Sequence, residues 1–134
     1  MLLSDVKKSI TKNMEQSYKM PDDSILAIKT HEALCWVATQ CIPGELLRDT
    51  VAEADEEVFR YLPDFKFIVN PEMPDFTNAE KHLMIDNSLN YAVINFTCFL
   101  LGADAKFKTM TDMWIATYKK NDILGFSSEE VIDD

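Results

Sequence analysis

The most hydrophobic stretch of the chain covers residues 86–102 and has the pattern of one helix with two apolar stripes. Because apolar positions cover most of its circumference, we expect other elements to surround it. Asp86 is placed to cap its N-terminus, and Gly102 to end it in the left-handed conformation. The run is shorter than the roughly 20 apolar residues of a membrane span, so we predict the central helix of a folded domain. The stripes are Leu89, Val93, Phe96 and Leu100, then Tyr91, Ile94, Cys98 and Leu101.

Two further helices are predicted before this segment. The first begins near Ser4 and is amphipathic. After a turn at Pro21 and Asp22, the second runs from about residue 24 to residue 41 and is closed by Pro43 and Gly44. The apolar side of the first helix consists of Val6, Ile10, Met14 and Tyr18.

The periodicity then changes to that of strands. Residues 57–62 and 65–70 are rich in aromatic and β-branched residues, and Pro63 and Asp64 suit a turn between them. This pattern predicts a short β-hairpin in which Phe65, Phe67 and Val69 share one face. Residues 44–56 are interpreted as a short helix grading into a solvated loop, and residues 72–85 as a loop, although residues 77–80 have the form of a capping box.

After Gly102, Asp104 is expected to cap a last helix that ends at Gly125 and forms an antiparallel hairpin with the central helix. The fold class predicted is mainly α. It is a small helical bundle with a C-terminal helical hairpin and one inserted short β-hairpin over residues 1–125, followed by an acidic tail over 126–134. The apolar positions of the last helix are Phe107, Met110, Met113, Trp114 and Tyr118, and we expect Trp114 to pack centrally with Leu89, Val93, Ile94, Phe96 and Leu100.

The composition is acidic, with 23 acidic and 13 basic residues and a formal net charge of −10. Direct binding of nucleic acid is disfavoured, because phosphate contacts need clustered Lys and Arg. An acidic surface suits a basic protein partner, a wall that DNA slides past, or solubility alone. The N-terminus lacks the pattern of a signal peptide, and the three cysteines have no paired spacing, which fits a reducing compartment.

The motifs that would indicate a metal site or a catalytic site are weak or missing. His31 and Cys35 share a helix face at i, i+4, but the spacings typical of zinc sites are missing, and a packed thiol is the more common arrangement. The acids at 53 and 55–57 read as a solvated face. No nucleophile elbow or phosphate loop occurs. We therefore predict no metal, no cofactor and no enzymatic activity.

The sequence offers better candidates for contacts with a partner protein than for a metal site or a catalytic site. Trp36 lies on the polar side of its helix, where it is either covered by the hairpin or exposed for a partner. Arg60 and Tyr61 are residue types enriched at interface hot spots, although structural packing is the more common role for both. The tail carries apolar residues within an acidic string, a composition that fits either a segment that docks on a partner or a frayed terminus. The candidate interface residues are Trp36, Arg60, Tyr61, Phe126, Val131 and Ile132.

The sequence resembles the head–tail connector, or adaptor, proteins of tailed bacteriophages. The likeness rests on residues 59–63, the strand at 65–69, Pro71 and Pro74, and residues 85–86 leading into 89–92. The order of two helices, an extended β segment and a helical hairpin also agrees. A departure lies beside the prolines, where Asn70 and Glu72 replace the basic residues common in such proteins.

The resemblance implies a structural virion protein, assembled in the host cytoplasm, without enzymatic activity or membrane association. Copies would form a ring, commonly of about twelve, beneath the portal protein and above tail or stopper proteins. DNA would pass through without specific binding. The alternative is a small acidic inhibitor that imitates DNA and occupies a basic site on a host protein, motivated by the acids at 53–57 and 129–134.

Overall fold

Four helices and a small antiparallel sheet form the described part of the chain. The computed structural model describes residues 1–14, 19–49 and 56–127, with side chains as far as residue 121. Helices account for 57% of the structure, as the mainly α prediction requires. The helices are α1 (Leu3–Met14), α2 (Asp23–Gln40), α3 (Asn90–Leu100) and α4 (Lys106–Ser127), and the strands are β1 (Leu47–Asp49), β2 (Val58–Leu62) and β3 (Lys66–Val69).

The first two helices form where the sequence predicts them. α1 buries Leu3, Val6, Ile10 and Met14, whereas Tyr18 lies outside the described residues. α2 begins after Asp22, whose carboxylate accepts a hydrogen bond of 3.0 Å from the backbone N–H of Ile25. This bond, followed by one from the hydroxyl of Ser24, lowers the pKa of Asp22. A short acidic residue at this position therefore fixes the start of α2.

The central helix begins three residues later than predicted. A 3₁₀ turn, Asn87–Leu89, precedes α3, and Asp86 makes no capping bond to it, so that prediction is wrong. Gly102 ends the segment with φ of 100°, as expected. The exposure of Tyr91, 44%, contradicts its place in an inward stripe. The other stripe residues are buried, except that Leu100 is only partly so.

α4 packs on α3 through a stripe that shares only Phe107 and Tyr118 with the predicted one. Phe107, Thr111 and Ile115 are buried, whereas Met110, Met113 and Trp114 are 39%, 63% and 39% exposed, so the central place given to Trp114 is wrong. The inward stripe contains a polar residue at its middle. Thr111 fits there because its hydroxyl donates to the carbonyl oxygens of Phe107 and Ala92, at 2.9 and 3.3 Å.

α4 also runs past Gly125 to Ser127, so this glycine does not end the helix. A glycine inside a helix costs only about 1 kcal/mol relative to alanine, and a helix that continues on both sides tolerates it.

The sheet has the order β1-β3-β2, with both outer strands antiparallel to β3. β2 and β3 occur where two paired strands were predicted. β1 was not predicted. It pairs Leu47 with Ile68 of β3, and it follows a 3₁₀ turn, Gly44–Leu46, in a segment interpreted as helix and loop. Residues 50–55 lie outside the described part.

The predicted alternation along β3 is wrong. Phe65 is 80% exposed in the turn between β2 and β3, where Asp64 and Phe65 have positive φ. The next apolar residues, Phe67, Ile68 and Val69, are all buried, as in a central strand covered on both faces. They form a small second core with Ala38 of α2 and Leu46, separate from the main core that joins the four helices.

The long connection between β3 and α3 is a loop, as predicted, and the capping box at 77–80 starts no helix. Instead the carboxylate of Asp75 accepts from the backbone N–H of Thr77 at 3.0 Å. The loop is held against the N-terminus, where Leu3 N–H donates to Lys81 O at 2.8 Å and Leu83 N–H to Met1 O at 2.9 Å.

Candidate functional site

The outer face of α3 and α4 carries an exposed apolar patch, which we define as Tyr91, Met110, Met113, Trp114 and Thr117. The rings of Tyr91 and Trp114 stack with centroids 5.7 Å apart. The two methionines, Trp114 and Thr117 line an open cavity of about 390 Å³. Tryptophan and tyrosine provide rigid contact area, and methionine adapts to irregular surfaces. Such a patch is typical of a surface that binds another protein.

A second surface feature is a basic groove between α1 and the loop that follows β3. We call it the lysine groove and define it by Lys7, Lys8, Lys12, Phe76 and Ala79. Its volume is about 530 Å³. Lys7 is bound to Asp23 of α2 at 2.8 Å. Within residues 1–14, 19–49 and 56–121, no carboxylate lies at ion-pair distance from Lys8 or Lys12. The amphipathic pattern of α1 gave no sign of this groove, because its other wall comes from the loop after β3.

Asp86 forms a polar junction between three parts of the chain. Its carboxylate accepts from the backbone N–H groups of Gly44 and Glu45, at 2.9 and 2.7 Å, and from the hydroxyl of Tyr118 at 2.7 Å. Asp86 therefore caps the 3₁₀ turn after α2 instead of the central helix. A Cβ on Gly44 would lie 3.2 Å from the Asp86 carboxylate, so glycine allows this close approach. The role of this junction is structural, because it joins the turn after α2 to α4.

Arg60 points into the domain. Its guanidinium donates to the carbonyl oxygens of Ala38 and Cys41, at 3.0 and 2.7 Å, and so closes the C-terminal end of α2. Tyr61, the next residue, is 73% exposed, with its ring 6.4 Å from that of Phe67. The sequence placed both residues at a partner contact. The structure gives Arg60 an internal role and leaves Tyr61 available on the surface.

Trp36 is covered by the helices and not by the β-strands. Its ring stacks on Phe96 of α3 with centroids 5.1 Å apart and planes 5° from parallel. The ammonium of Lys108 in α4 lies 5.5 Å from the ring centroid. Trp36 therefore holds α2 against α3 and α4, and it lies apart from the apolar patch.

His31 and Cys35 do not form a reactive pair. Nε2 of His31 lies 2.9 Å from the carbonyl oxygen of Pro71. Because a carbonyl only accepts, this nitrogen carries a proton and cannot take one from the Cys35 thiol 3.8 Å away. Burial, and then the charge of Glu32, raise the pKa of Cys35. Burial also raises the pKa of Cys98 to about 11, so both thiols are protonated at neutral pH.

Metal binding and membrane insertion find no support in the described ranges. There, no three His, Cys, Asp or Glu side chains come together as a metal site would require. None of the described helices is both long and apolar enough to cross a membrane.

The acidic segments and the tail contribute little to the described surface. Of the acids at 53–57, Glu56 is bound to Arg48 at 2.7 Å and Glu57 is exposed, and the others lie outside the described residues. Phe126 falls in the last turn of α4, but its side chain, like the whole of Val131 and Ile132, lies outside the described part. Their proposed partner contacts stay predictions.

Three comparisons with known proteins give no relative from which to transfer a role. No family model matches the chain, and no significant similarity was found to a curated protein or to a solved structure.

Proposed function

We propose that this protein is a structural subunit of a larger assembly, and specifically a head–tail connector of a tailed bacteriophage. Copies form a ring beneath the portal protein and extend the channel through which DNA leaves the head. The protein acts by binding other proteins and performs no catalysis. The ring is part of the virion and assembles in the host cytoplasm, and tail or stopper proteins bind its other side.

The observation that carries the proposal is the exposed apolar patch on α3 and α4. Four large apolar side chains there are between 39% and 63% exposed, although the same helices bury a continuous core on their other sides. Exposing them costs solubility, which a bound partner would offset. In this proposal the chain is a small helical bundle whose C-terminal hairpin presents the patch to an adjoining protein.

The resemblance supplies the identity of the assembly. The element order, two helices, an extended β segment and two helices, agrees with the connector order. The net charge of −10 also suits a channel wall, because acidic surfaces do not retain DNA. Nothing in the described residues favours the alternative of a DNA mimic, which requires spaced carboxylates on one rigid face.

Charged substitutions in the patch test this role. Met110→Glu with Met113→Glu should reduce incorporation of the protein into particles at least about tenfold, because two buried interface contacts become charged. Ile25→Glu with Ile28→Glu is the matched control. Those residues are 45% and 46% exposed with the same spacing on α2, and incorporation should not change. Incorporation is measured by quantitative mass spectrometry of purified particles, after circular dichroism shows that both variants fold.

Normal incorporation of the variant with Met110→Glu and Met113→Glu would show that the patch is not a contact surface in the particle. Equal losses from both pairs would show that any exposed charge on a helix interferes, and the patch would then have no special role.

A further inference from the structure

We infer that the lysine groove binds the acidic C-terminal tail, residues 128–134, of a neighbouring copy. The inference rests on the chain being a subunit in an assembly of copies, as proposed above, but not on that assembly belonging to a phage. It concerns a surface different from the apolar patch.

Charge complementarity is the first support. The protein is strongly acidic overall, yet one side of α1 concentrates Lys7, Lys8 and Lys12 at a groove whose described lining contains no acidic residue. The tail is the most acidic end of the given sequence, with Glu129, Glu130, Asp133 and Asp134. Opposite charges of this density attract at short range and less so in high salt.

The apolar residues also match. Val131 and Ile132 interrupt the acids of the tail, and Phe76 and Ala79 provide an apolar wall beside the lysines. The walls of the groove are held in place, because Ser4 N–H donates to Ala79 O at 3.4 Å and Leu3 N–H to Lys81 O at 2.8 Å. A preformed groove loses little entropy when a segment enters it.

The direction of α4 indicates that the tail bound in a groove comes from a neighbouring copy and not from the same chain. α1 runs parallel to α3, since the N-terminal ammonium lies 3.4 Å from Asn87 and the amide of Asn13 lies 3.8 Å from Cys98. α4 runs the other way and passes the start of α3 at Tyr118, which binds Asp86. The remaining residues, 119–127, extend about 13 Å further at 1.5 Å per residue. α4 thus ends beyond the start of α3 and is directed away from the groove of the same chain.

Such a contact joins two different surfaces and is head-to-tail. Repetition of a head-to-tail contact produces a closed ring or an open filament. The groove and the tail together therefore provide the polymerising contact of an assembly, while the apolar patch stays available for a different protein.

Zero-length cross-linking of the full chain tests the inference. A carbodiimide joins an amine to a carboxylate only where they touch. An equal mixture of unlabelled and ¹⁵N-labelled chains, cross-linked at high protein concentration, should give peptides that join Lys8 or Lys12 to residues 129–134. Light–heavy pairs should be as abundant as light–light and heavy–heavy pairs together. Links found only within single chains, or no link between tail and groove, would overturn the inference.

Charge exchange provides the specificity control. Glu129→Lys with Glu130→Lys keeps the lysines of the groove and the carboxylates of Asp133 and Asp134, and it should reduce the links between tail and groove about tenfold. Adding Lys8→Glu with Lys12→Glu to that variant should restore links, now between the tail lysines and the groove carboxylates. Lys66→Glu alone, at an exposed lysine of β3, should leave the original links unchanged. An unaltered yield in the first variant would overturn the inference.

The two proposals fail separately. Loss of these cross-links would leave the apolar patch and its incorporation test untouched. Conversely, a chain that cross-links from tail to groove but is missing from phage particles would keep the copy-to-copy contact and contradict the connector function.

Discussion

Replacing Phe96 by alanine should lower the free energy of unfolding by about 3–5 kcal/mol. Phe96 is 7% exposed and stacks on Trp36, and a second ring, Phe99, lies 5.7 Å away. The substitution therefore removes a buried ring and leaves a cavity where α2 meets α3. Chemical denaturation, followed by circular dichroism, measures the loss. Trp36 fluorescence should also change, because the indole loses its stacking partner.

Phe65→Ala is the matched control. Phe65 is 80% exposed in the turn between β2 and β3, so the expected change in the free energy of unfolding is within about 1 kcal/mol. Similar losses for both variants, or a loss below about 1 kcal/mol for Phe96→Ala, would place the centre of the core elsewhere.

Replacing Asp86 by alanine should lower the free energy of unfolding by about 2–3 kcal/mol. The reason is that one carboxylate accepts three hydrogen bonds of 2.7–2.9 Å from Gly44, Glu45 and Tyr118. Its loss uncouples the turn after α2 from α4. Asp86→Asn keeps the shape and one acceptor oxygen, so its effect should fall between that of alanine and none.

Asp112→Ala is the control for the removal of an acidic side chain. Asp112 is bound only at the surface, to Lys108 at 2.8 Å, and exposed pairs of this kind contribute about 0–1 kcal/mol. If the Asp86 and Asp112 variants were equally stable, the junction at Asp86 would be no more than a solvated contact.

Local signals in the sequence predicted much of the fold. The 3.6-residue spacing along α1, the turn at Pro21 and Asp22 before α2, the glycine at 102 and the proline-bounded strands all act within a few neighbouring residues, and each was located correctly. β1 escaped prediction because it is three residues long and pairs with β3, nearly twenty positions away in sequence. Asp86 was misassigned for the same reason, since its partners are 41, 42 and 32 residues distant.

The surface of α4 shows why the candidate site was harder to predict. Two stripes run along this helix, and apolarity alone favours the one with Met110, Met113 and Trp114. The structure buries the stripe that contains Thr111 because its hydroxyl is satisfied by carbonyl oxygens within the helix and on α3. If Thr111 had been predicted to face the core, the stripe with Met110, Met113 and Trp114 would have been predicted to face solvent.

Imaging of assembled particles tests the central claim most directly. Electron microscopy of particles made with and without this chain should give difference density in the form of a ring, coaxial with the portal, into which copies of the four-helix domain fit. The patch on α3 and α4 should then face an adjoining protein. Single copies on a capsid face, or particles that contain none of the chain, would contradict the connector function.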